Sequence, residues 1–148
     1  MEADADFVFD APRQRLSQLT NRLVRDRVFR KTILRAYGQR CAFTGLRLIN
    51  GGGRAEVEAA HIKSVESNGP DIVSNGIALS GTAHWMFDRG LLSLDNDLRF
   101  LISPKVNDRD GVAALLNKVG KAMVPQRLAE RPRPEFLAWH RKTHGFAV

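Results

Sequence analysis

The order of sequence patterns in the middle of the chain constrains the fold more than any other feature. A partly alternating apolar and polar stretch ends at His61, as a strand would, and a loop containing glycine and proline separates it from a second short apolar stretch. Ser80 is a suitable N-terminal cap for a short helix that Gly90 ends. These patterns predict a strand, a loop, a strand and a helix over residues 54–62, 64–74, 77–79 and 81–89.

Three polar side chains on this unit have the chemistry of a hydrolytic site. His84 and Asp88 are four residues apart, so on a helix they share a face and can reach one cation. An imidazole and a carboxylate suit Mg²⁺, Mn²⁺, Ni²⁺ or Zn²⁺, with water or phosphate oxygens as further ligands. Imidazole titrates near neutral pH, so His61 is suited to take a proton from a water that attacks phosphorus. The set predicts phosphodiester hydrolysis with one divalent metal ion, which would stabilise the charge on the phosphate and on the departing 3′ oxygen.

The ordered motifs AAHI (59–62), NGIAL (75–79) and HWMFD (84–88) resemble the ββα-metal motif of His-Asn-His (HNH) endonucleases. They are most similar to the branch found in bacterial restriction-type endonucleases. The similarity includes the C-x-x-T-G turn that begins at Cys41, the helix before it and the C-terminal PEFLAWHR, and covers about residues 25–145. The resemblance implies an α+β fold, a ββα-metal (HNH, His-Me finger) core with flanking helices and a small antiparallel hairpin.

The resemblance also implies a role for each polar residue. His61 corresponds to the first histidine of the motif, which is the general base. Asn75 corresponds to the central asparagine, which ties the loop together and helps to orient the base. His84 corresponds to the final histidine, usually a metal ligand, and Asp88 stands where many members carry another ligand.

The chain departs from the family pattern at the position before the base. Many HNH enzymes have a metal-binding Asp, His or Glu there, and this chain has Ala60. Three alternatives stay open: two protein ligands plus water, recruitment of Glu58, which has the strand parity of residue 60, or direct contact of His61 with the metal. Lys63 shares the strand parity of His61 and is a candidate to bind the scissile phosphate, with a solvated lysine as the equal alternative.

Charge favours a polyanionic partner. The chain has 23 basic and 16 acidic residues, a net charge of +7, and its first ten residues hold four of the acidic ones and no basic one. The remainder is therefore more strongly basic, which suits double-stranded DNA because neutralised phosphates release counterions. A basic surface that only keeps the protein in solution is the alternative.

Together these features predict a metal-dependent DNA endonuclease that acts in restriction-modification or phage defence. A homodimer is attractive because cutting a duplex needs two cuts, and target choice is expected to lie in a separate specificity domain or subunit. The first alternative, which Ala60 motivates, is a non-catalytic nucleic-acid-binding module with an HNH-like scaffold. The second is a small metal-stabilised structural domain of a larger protein.

The rest of the chain predicts one domain over residues 21–148, preceded by an acidic, flexible segment over residues 1–20. Cys41 is the only cysteine, so the chain has no internal disulfide or CxxC zinc knuckle, and we expect it to be a buried small apolar residue. Further helices are predicted over 21–38, 109–119 and 134–144. A short strand running into a turn is predicted over 41–45, and a hairpin over 91–94 and 98–102.

His140 and His144 are four residues apart in the last predicted helix. Near a helix C-terminus the protonated form of histidine is favoured over a second metal site. The sequence has no apolar run of about 20 residues and no N-terminal signal pattern, so we predict a cytoplasmic protein without a membrane span.

Overall fold

A computed structural model describes the backbone of residues 2–147 and the side chains of residues 12–147. Its helices and strands are α1 (Glu2–Ala36), β1 (Glu58–His61), β2 (Gly76–Leu79), α2 (Gly81–Asp88), β3 (Leu92–Leu94), β4 (Phe100–Ile102), α3 (Arg109–Leu115) and α4 (Pro134–Thr143). Short 3-10 turns lie at Val65–Ser67, Val73–Asn75 and Leu128–Glu130. The predicted α+β class is confirmed. Within residues 2–147, none of the helices has both the length and the apolar character that a membrane span requires.

Within residues 2–147 the strands form two antiparallel hairpins, and both were predicted. In the first, β1 pairs with β2 so that Glu58 lies opposite Leu79 and His61 opposite Gly76. In the second, Leu92 of β3 lies opposite Ile102 of β4. Helix α2 follows β2 after a single residue, which completes the predicted strand–loop–strand–helix unit.

The first strand is shorter than the predicted range of 54–62. It begins at Glu58, because the residues before it close a separate turn. In that turn Asn50 Oδ1 accepts hydrogen bonds from the backbone N–H groups of Gly52 (3.0 Å) and Arg54 (3.2 Å), and an isolated bridge joins Ile49 to Ala55. Side-chain alternation alone does not distinguish such a turn from a strand.

Helix α1 packs closely on the first hairpin through Phe29 and Ile33, which are 4% and 0% exposed. The approach depends on Gly76 in β2. A Cβ atom at that position would collide with the Ile33 side chain and lie 2.8 Å from Cζ of Phe29. A glycine is therefore needed where the helix crosses the strand, and the approach brings Phe29 against the end of β1.

Helix α1 was predicted over 21–38, and this prediction is wrong at the N-terminal end because the helix begins at Glu2. Residues 13–20 contain neither glycine nor proline, and their arginine, glutamine and leucine residues favour a helix without tertiary contacts. Leu16 and Leu19 are accordingly 65% and 56% exposed. Met1 lies outside the described residues, and the division into a flexible segment 1–20 and a nuclease domain 21–148 remains a proposal.

Two other local predictions need correction. The strand expected at Cys41 is a turn, in which the N–H of Gly45 donates to the carbonyl of Cys41 (2.9 Å); the cysteine itself is fully buried, as predicted. Helix α3 ends at Leu115 rather than 119. Asn117 closes the next turn by accepting a hydrogen bond from the N–H of Val119 (3.0 Å).

The expected protonated histidine in the last helix is wrong for His140. Its ring is 2% exposed and stacks on Phe87 with a centroid distance of 3.8 Å. Nε2 donates to the carbonyl of Phe87 (2.8 Å), which leaves Nδ1 to accept from the hydroxyl of Ser93 (2.7 Å). Burial lowers the pKa of His140 to about 4, because desolvation of the charged form outweighs the hydrogen bond to the Phe87 carbonyl, which raises the pKa.

We expect the free energy of unfolding to fall as the pH is lowered from 6.5, the ordinary pKa of histidine, to about 4. Over this range the unfolded chain binds a proton at residue 140 and the folded chain does not, so acid favours unfolding by about 3 kcal/mol in total. Urea denaturation at a series of pH values measures this loss. His140→Gln, whose amide can make both hydrogen bonds without titrating, should show a shallower dependence. Equal slopes for the two proteins would contradict the assignment.

Candidate active site

A cleft of about 830 Å³ lies between α1, the first hairpin, α2 and α4. His61, His84 and Asp88 line it, and so does Glu58, which the sequence offered as an alternative ligand. The structure therefore brings the predicted base and the predicted metal ligands to one cavity. The sequence separates them by up to 27 positions, and the β1–β2 register together with the short connection to α2 brings them close.

His61 ends β1, and its imidazole is held on two sides. The ring stacks on Phe29 of α1 with a centroid distance of 4.0 Å and an interplanar angle of 7°. At the ring edge, Nε2 lies 2.7 Å from Oδ1 of Asp71. The side chain is 18% exposed, so the ring is largely enclosed but still reaches the cleft.

Sequence reasoning missed Asp71. It lies in the loop between β1 and β2, which was predicted only as a connection of the two strands. The available signal was an acidic residue placed between the predicted base and Asn75. That signal is weak by itself, because aspartate after Gly-Pro is also an ordinary turn residue.

Asn75 is fully buried, and all the hydrogen-bonding groups of its side chain are used within this loop. Oδ1 accepts from the N–H of Lys63 (2.8 Å), and Nδ2 donates to the carbonyls of Lys63 and Pro70 (3.0 Å each). Gly69 allows the loop to close, because a Cβ there would collide with the backbone carbonyl of Lys63. Asn75 thus fixes both ends of the loop that carries Asp71.

His84 lies between two carboxylates. Nδ1 is 3.1 Å from Oε2 of Glu58, and Nε2 is 3.0 Å from Oδ2 of Asp88. The hydrogen bond with Asp88 is the largest influence and raises the pKa of His84; partial burial opposes it, and Glu58 adds to the increase. The pairing of His84 with Asp88 follows from their helical spacing, whereas the contact with Glu58 depends on how α2 packs on β1.

The donor chemistry of these three residues fits a divalent cation. Among residues 12–147 no three histidine, cysteine or carboxylate side chains have their donor atoms already arranged around one point. The reason is visible at His84, where the two carboxylates contact opposite nitrogens of the ring. The side chains of Glu58 and Asp88 are 51% and 52% exposed, so they are free to rotate toward a cation held by one nitrogen of His84.

The side chain that caps the start of α2 differs from the one predicted. Ser80 occupies the N-cap position, but its side chain does not cap the helix. The carboxylate of Glu56 accepts the hydrogen bond from the N–H of Gly81 instead, at 2.8 Å. A carboxylate at a helix N-terminus is also favoured by the helix dipole. The segment before β1 therefore helps to fix the helix that carries His84.

Lys63 is not among the described residues that line the cleft. Its backbone is held by Asn75, and its role in phosphate binding remains a prediction. The basic residues that do line the cleft are Arg22, Arg30 and Arg54. Arg30 donates to the carbonyl groups of Val57 (2.9 Å) and Ala55 (3.2 Å), so its guanidinium joins α1 to the segment before β1.

Comparison with known proteins agrees with this geometry. Residues 41–95 match the sequence profile of a family described as HNH endonuclease. Among solved structures, the chain is similar to one entitled "Modification dependent TagI restriction endonuclease", with a TM-score of 0.62 and 22% sequence identity. The similarity covers 77% of this chain and 36% of that one, so this chain spans about a third of its length. At this identity the likeness concerns the fold. No curated protein matches the chain.

The family match includes β1, β2 and α2, and with them all four residues His61, Asn75, His84 and Asp88. It supports a nuclease function for the cleft that three of these residues line. Residues 41–95 therefore match the HNH endonuclease family, in a chain whose α+β fold is similar to that of a restriction endonuclease.

Proposed function

We propose that the protein is a metal-dependent endonuclease that hydrolyses phosphodiester bonds of double-stranded DNA. The observation that carries the proposal is the single cleft in which His61 lies with the cluster of Glu58, His84 and Asp88. Hydrolysis with one metal ion requires a general base close to the residues that bind the metal. The net charge of +7 supports a polyanionic substrate.

The reaction assigns a separate task to each part of the site. His61 accepts a proton as the oxygen of a water molecule bonds to phosphorus and the bond from phosphorus to the 3′ oxygen breaks. His84 and Asp88, together with Glu58, would hold a divalent cation, Mg²⁺, Mn²⁺, Ni²⁺ or Zn²⁺. That cation, when bound, stabilises the negative charge that builds up on the phosphate and on the leaving oxygen. Arg54 lines the cleft and would attract the phosphate backbone into it.

A role in restriction or phage defence is the context we propose. It is supported by the structural similarity to a protein entitled a modification-dependent restriction endonuclease. Because this chain spans about a third of that protein, we place target recognition in a separate domain or subunit. We also propose a cytoplasmic location and a homodimer, whose two active sites would cut the two strands of a duplex.

Incubation with plasmid and genomic DNA, both modified and unmodified, tests the proposed function. Each DNA is offered with Mg²⁺, Mn²⁺, Ni²⁺ and Zn²⁺ in turn, and with a chelator as the blank. We expect nicking or cleavage with at least one metal and none with the chelator. Absence of cleavage under all these conditions, in a protein that binds DNA, would support the non-catalytic alternative.

That alternative, a nucleic-acid-binding module, is favoured by one observation. Ala60 occupies the place before the base where many HNH enzymes have a ligand. The position of Glu58 argues against it. Glu58 lies two residues earlier on the same face of β1, and its carboxylate reaches His84. A carboxylate is therefore present at the site although the sequence lacks one at residue 60.

A second groove beside α1 supplies a further expected DNA contact. It has a volume of about 570 Å³ and is lined by Arg27, Arg30, Lys31, Leu34, Arg35, Gly38, Gln39 and Arg47, with no acidic residue. Its net positive charge suits the phosphate backbone away from the cut.

We expect the triple change Arg27→Gln, Lys31→Gln, Arg35→Gln to weaken DNA binding. The slope of log K against log salt should fall by about 0.9 for each phosphate that the variant no longer neutralises.

Fluorescence anisotropy with a labelled duplex, over a series of salt concentrations, measures that slope. The matched control is a second triple change, Arg99→Gln, Lys118→Gln, Arg127→Gln, at three exposed basic residues outside both cavities. It removes the same net charge. Equal slopes for the two variants would show that only total charge matters and that the groove is not a contact surface.

A further inference from the structure

The contact between His61 and Asp71 distinguishes the two nitrogens of the imidazole. Oδ1 of Asp71 lies 2.7 Å from Nε2, a distance typical of a charge-assisted hydrogen bond. An ionised carboxylate can only accept a hydrogen bond, so Nε2 must carry the hydrogen. In the neutral ring the other nitrogen, Nδ1, then carries the lone pair.

Nδ1 is the nitrogen left for the substrate. Among residues 12–147 we find no hydrogen-bond partner for it, and the ring that bears it lines the cleft. A general base needs an unprotonated nitrogen with access to the reacting water. Nδ1 of His61 is unprotonated as long as the hydrogen stays on Nε2, and its ring lies at the cleft.

Phe29 restricts rotation of the imidazole ring. The parallel stack, at 4.0 Å and 7°, would be disrupted if the imidazole turned about its bond to Cβ. Phe29 is itself 4% exposed and held where α1 meets Gly76. The plane of the ring is therefore set by a buried residue of the first helix, and its direction within the plane by Asp71.

The carboxylate of Asp71 is also held in place through the backbone. Asn75 donates to the carbonyl of Pro70, the residue before Asp71, and its own contacts with Lys63 tie this point to the end of β1. The buried asparagine thus acts on His61 through the loop that presents Asp71. Its effect on the base does not require a direct contact.

We propose that Asp71 is a positioning residue that keeps His61 in the tautomer with hydrogen on Nε2, so that Nδ1 takes the proton from the attacking water. The inference rests on the proposed function for its catalytic consequence. In the step, a water O–H bond breaks and its proton goes to Nδ1, while the water oxygen bonds to phosphorus and the 3′ oxygen leaves. The negative charge of Asp71 stabilises the imidazolium that forms, which afterwards gives its proton to solvent.

The tautomer can be measured without DNA or metal. Long-range ¹H–¹⁵N correlation spectra of the full chain, recorded where the ring is neutral, distinguish a protonated Nε2 from a protonated Nδ1, and His61→Ala assigns the signal. We expect His61 to have its hydrogen on Nε2. Hydrogen on Nδ1 would overturn the proposal. This holds whether or not the protein cleaves DNA, so failure of this inference is separate from failure of the proposed function.

Asp71→Asn tests the same contact through catalysis. The new amide can donate as well as accept, so it also supports the tautomer with hydrogen on Nδ1. We expect a mixture of tautomers and a fall in kcat on the order of 10²-fold, with little change in KM. Asp97→Asn, at an exposed turn residue, should leave both readouts unchanged. An unaltered tautomer and an unaltered kcat in Asp71→Asn would overturn the proposal.

Discussion

Replacing His61 by alanine is expected to lower the rate of DNA cleavage by about 10²–10⁴-fold, the usual contribution of a general base. The residue has the position and environment that this role needs, at the end of β1 and in the same cleft as His84. Its backbone pairing with Gly76 does not depend on the side chain, so the hairpin should remain. Single-turnover cleavage of a plasmid substrate measures the rate.

DNA affinity and the thermal midpoint, measured on the same variant, separate catalysis from folding. Some stability should be lost, because Phe29 no longer has a ring to stack on. His144→Ala is the matched control, since this histidine also lines the cleft but has no assigned role in the reaction. Cleavage by His61→Ala at the rate of the unmodified protein would refute the assignment of the base.

Removing His84 is expected to have the second-largest effect, because it contacts both candidate carboxylate ligands. We expect His84→Ala to lower the affinity for Mn²⁺ by at least about 10²-fold, since losing even an outer partner of a metal ligand costs 10–100-fold. The rate of DNA cleavage should fall together with the affinity for Mn²⁺. Isothermal titration of the protein with Mn²⁺ measures the affinity and the number of ions bound per chain.

Glu58→Gln distinguishes a site with Glu58 from one with only His84 and Asp88. If Glu58 supplies a ligand in place of Ala60, its amide variant should bind Mn²⁺ more weakly than the unmodified chain. Glu66→Gln, at an exposed residue that lines the same cleft, is the control and should leave the affinity unchanged. Full affinity in Glu58→Gln would leave two protein ligands and water as the metal environment.

The sequence predicted the parts of the site that depend on local spacing. The separation of His84 from Asp88 places them on one helix face whatever surrounds the helix, and the two short strands were evident from their apolar pattern. The contact between Phe29 and His61 could not be predicted in this way. It depends on how closely α1 approaches β2, which is decided by the absence of a side chain at Gly76.

The burial of His140 was missed for a related reason. A histidine near the end of a helix has the same local sequence whether it faces solvent or the core, and only the packing of α4 on α2 and β3 decides between them. The same reason applies to Asp71. Its sequence is that of an ordinary turn, and its contact with His61 depends on where the fold places that turn. The environments of His140 and Asp71 depend on tertiary contacts, and for this reason the sequence did not predict them.

The length of α1 has a consequence for how stability is distributed along the molecule. Phe29 and Ile33 are part of the core, whereas Leu16, Leu19 and Leu23 are more than half exposed. Opening the earlier turns of the helix exposes little further apolar surface, so it should cost far less free energy than unfolding the domain. Amide hydrogens should accordingly exchange with solvent faster toward the N-terminal end of one continuous helix. Phe29, on which His61 stacks, then stays in place while the earlier turns of α1 unwind and re-form.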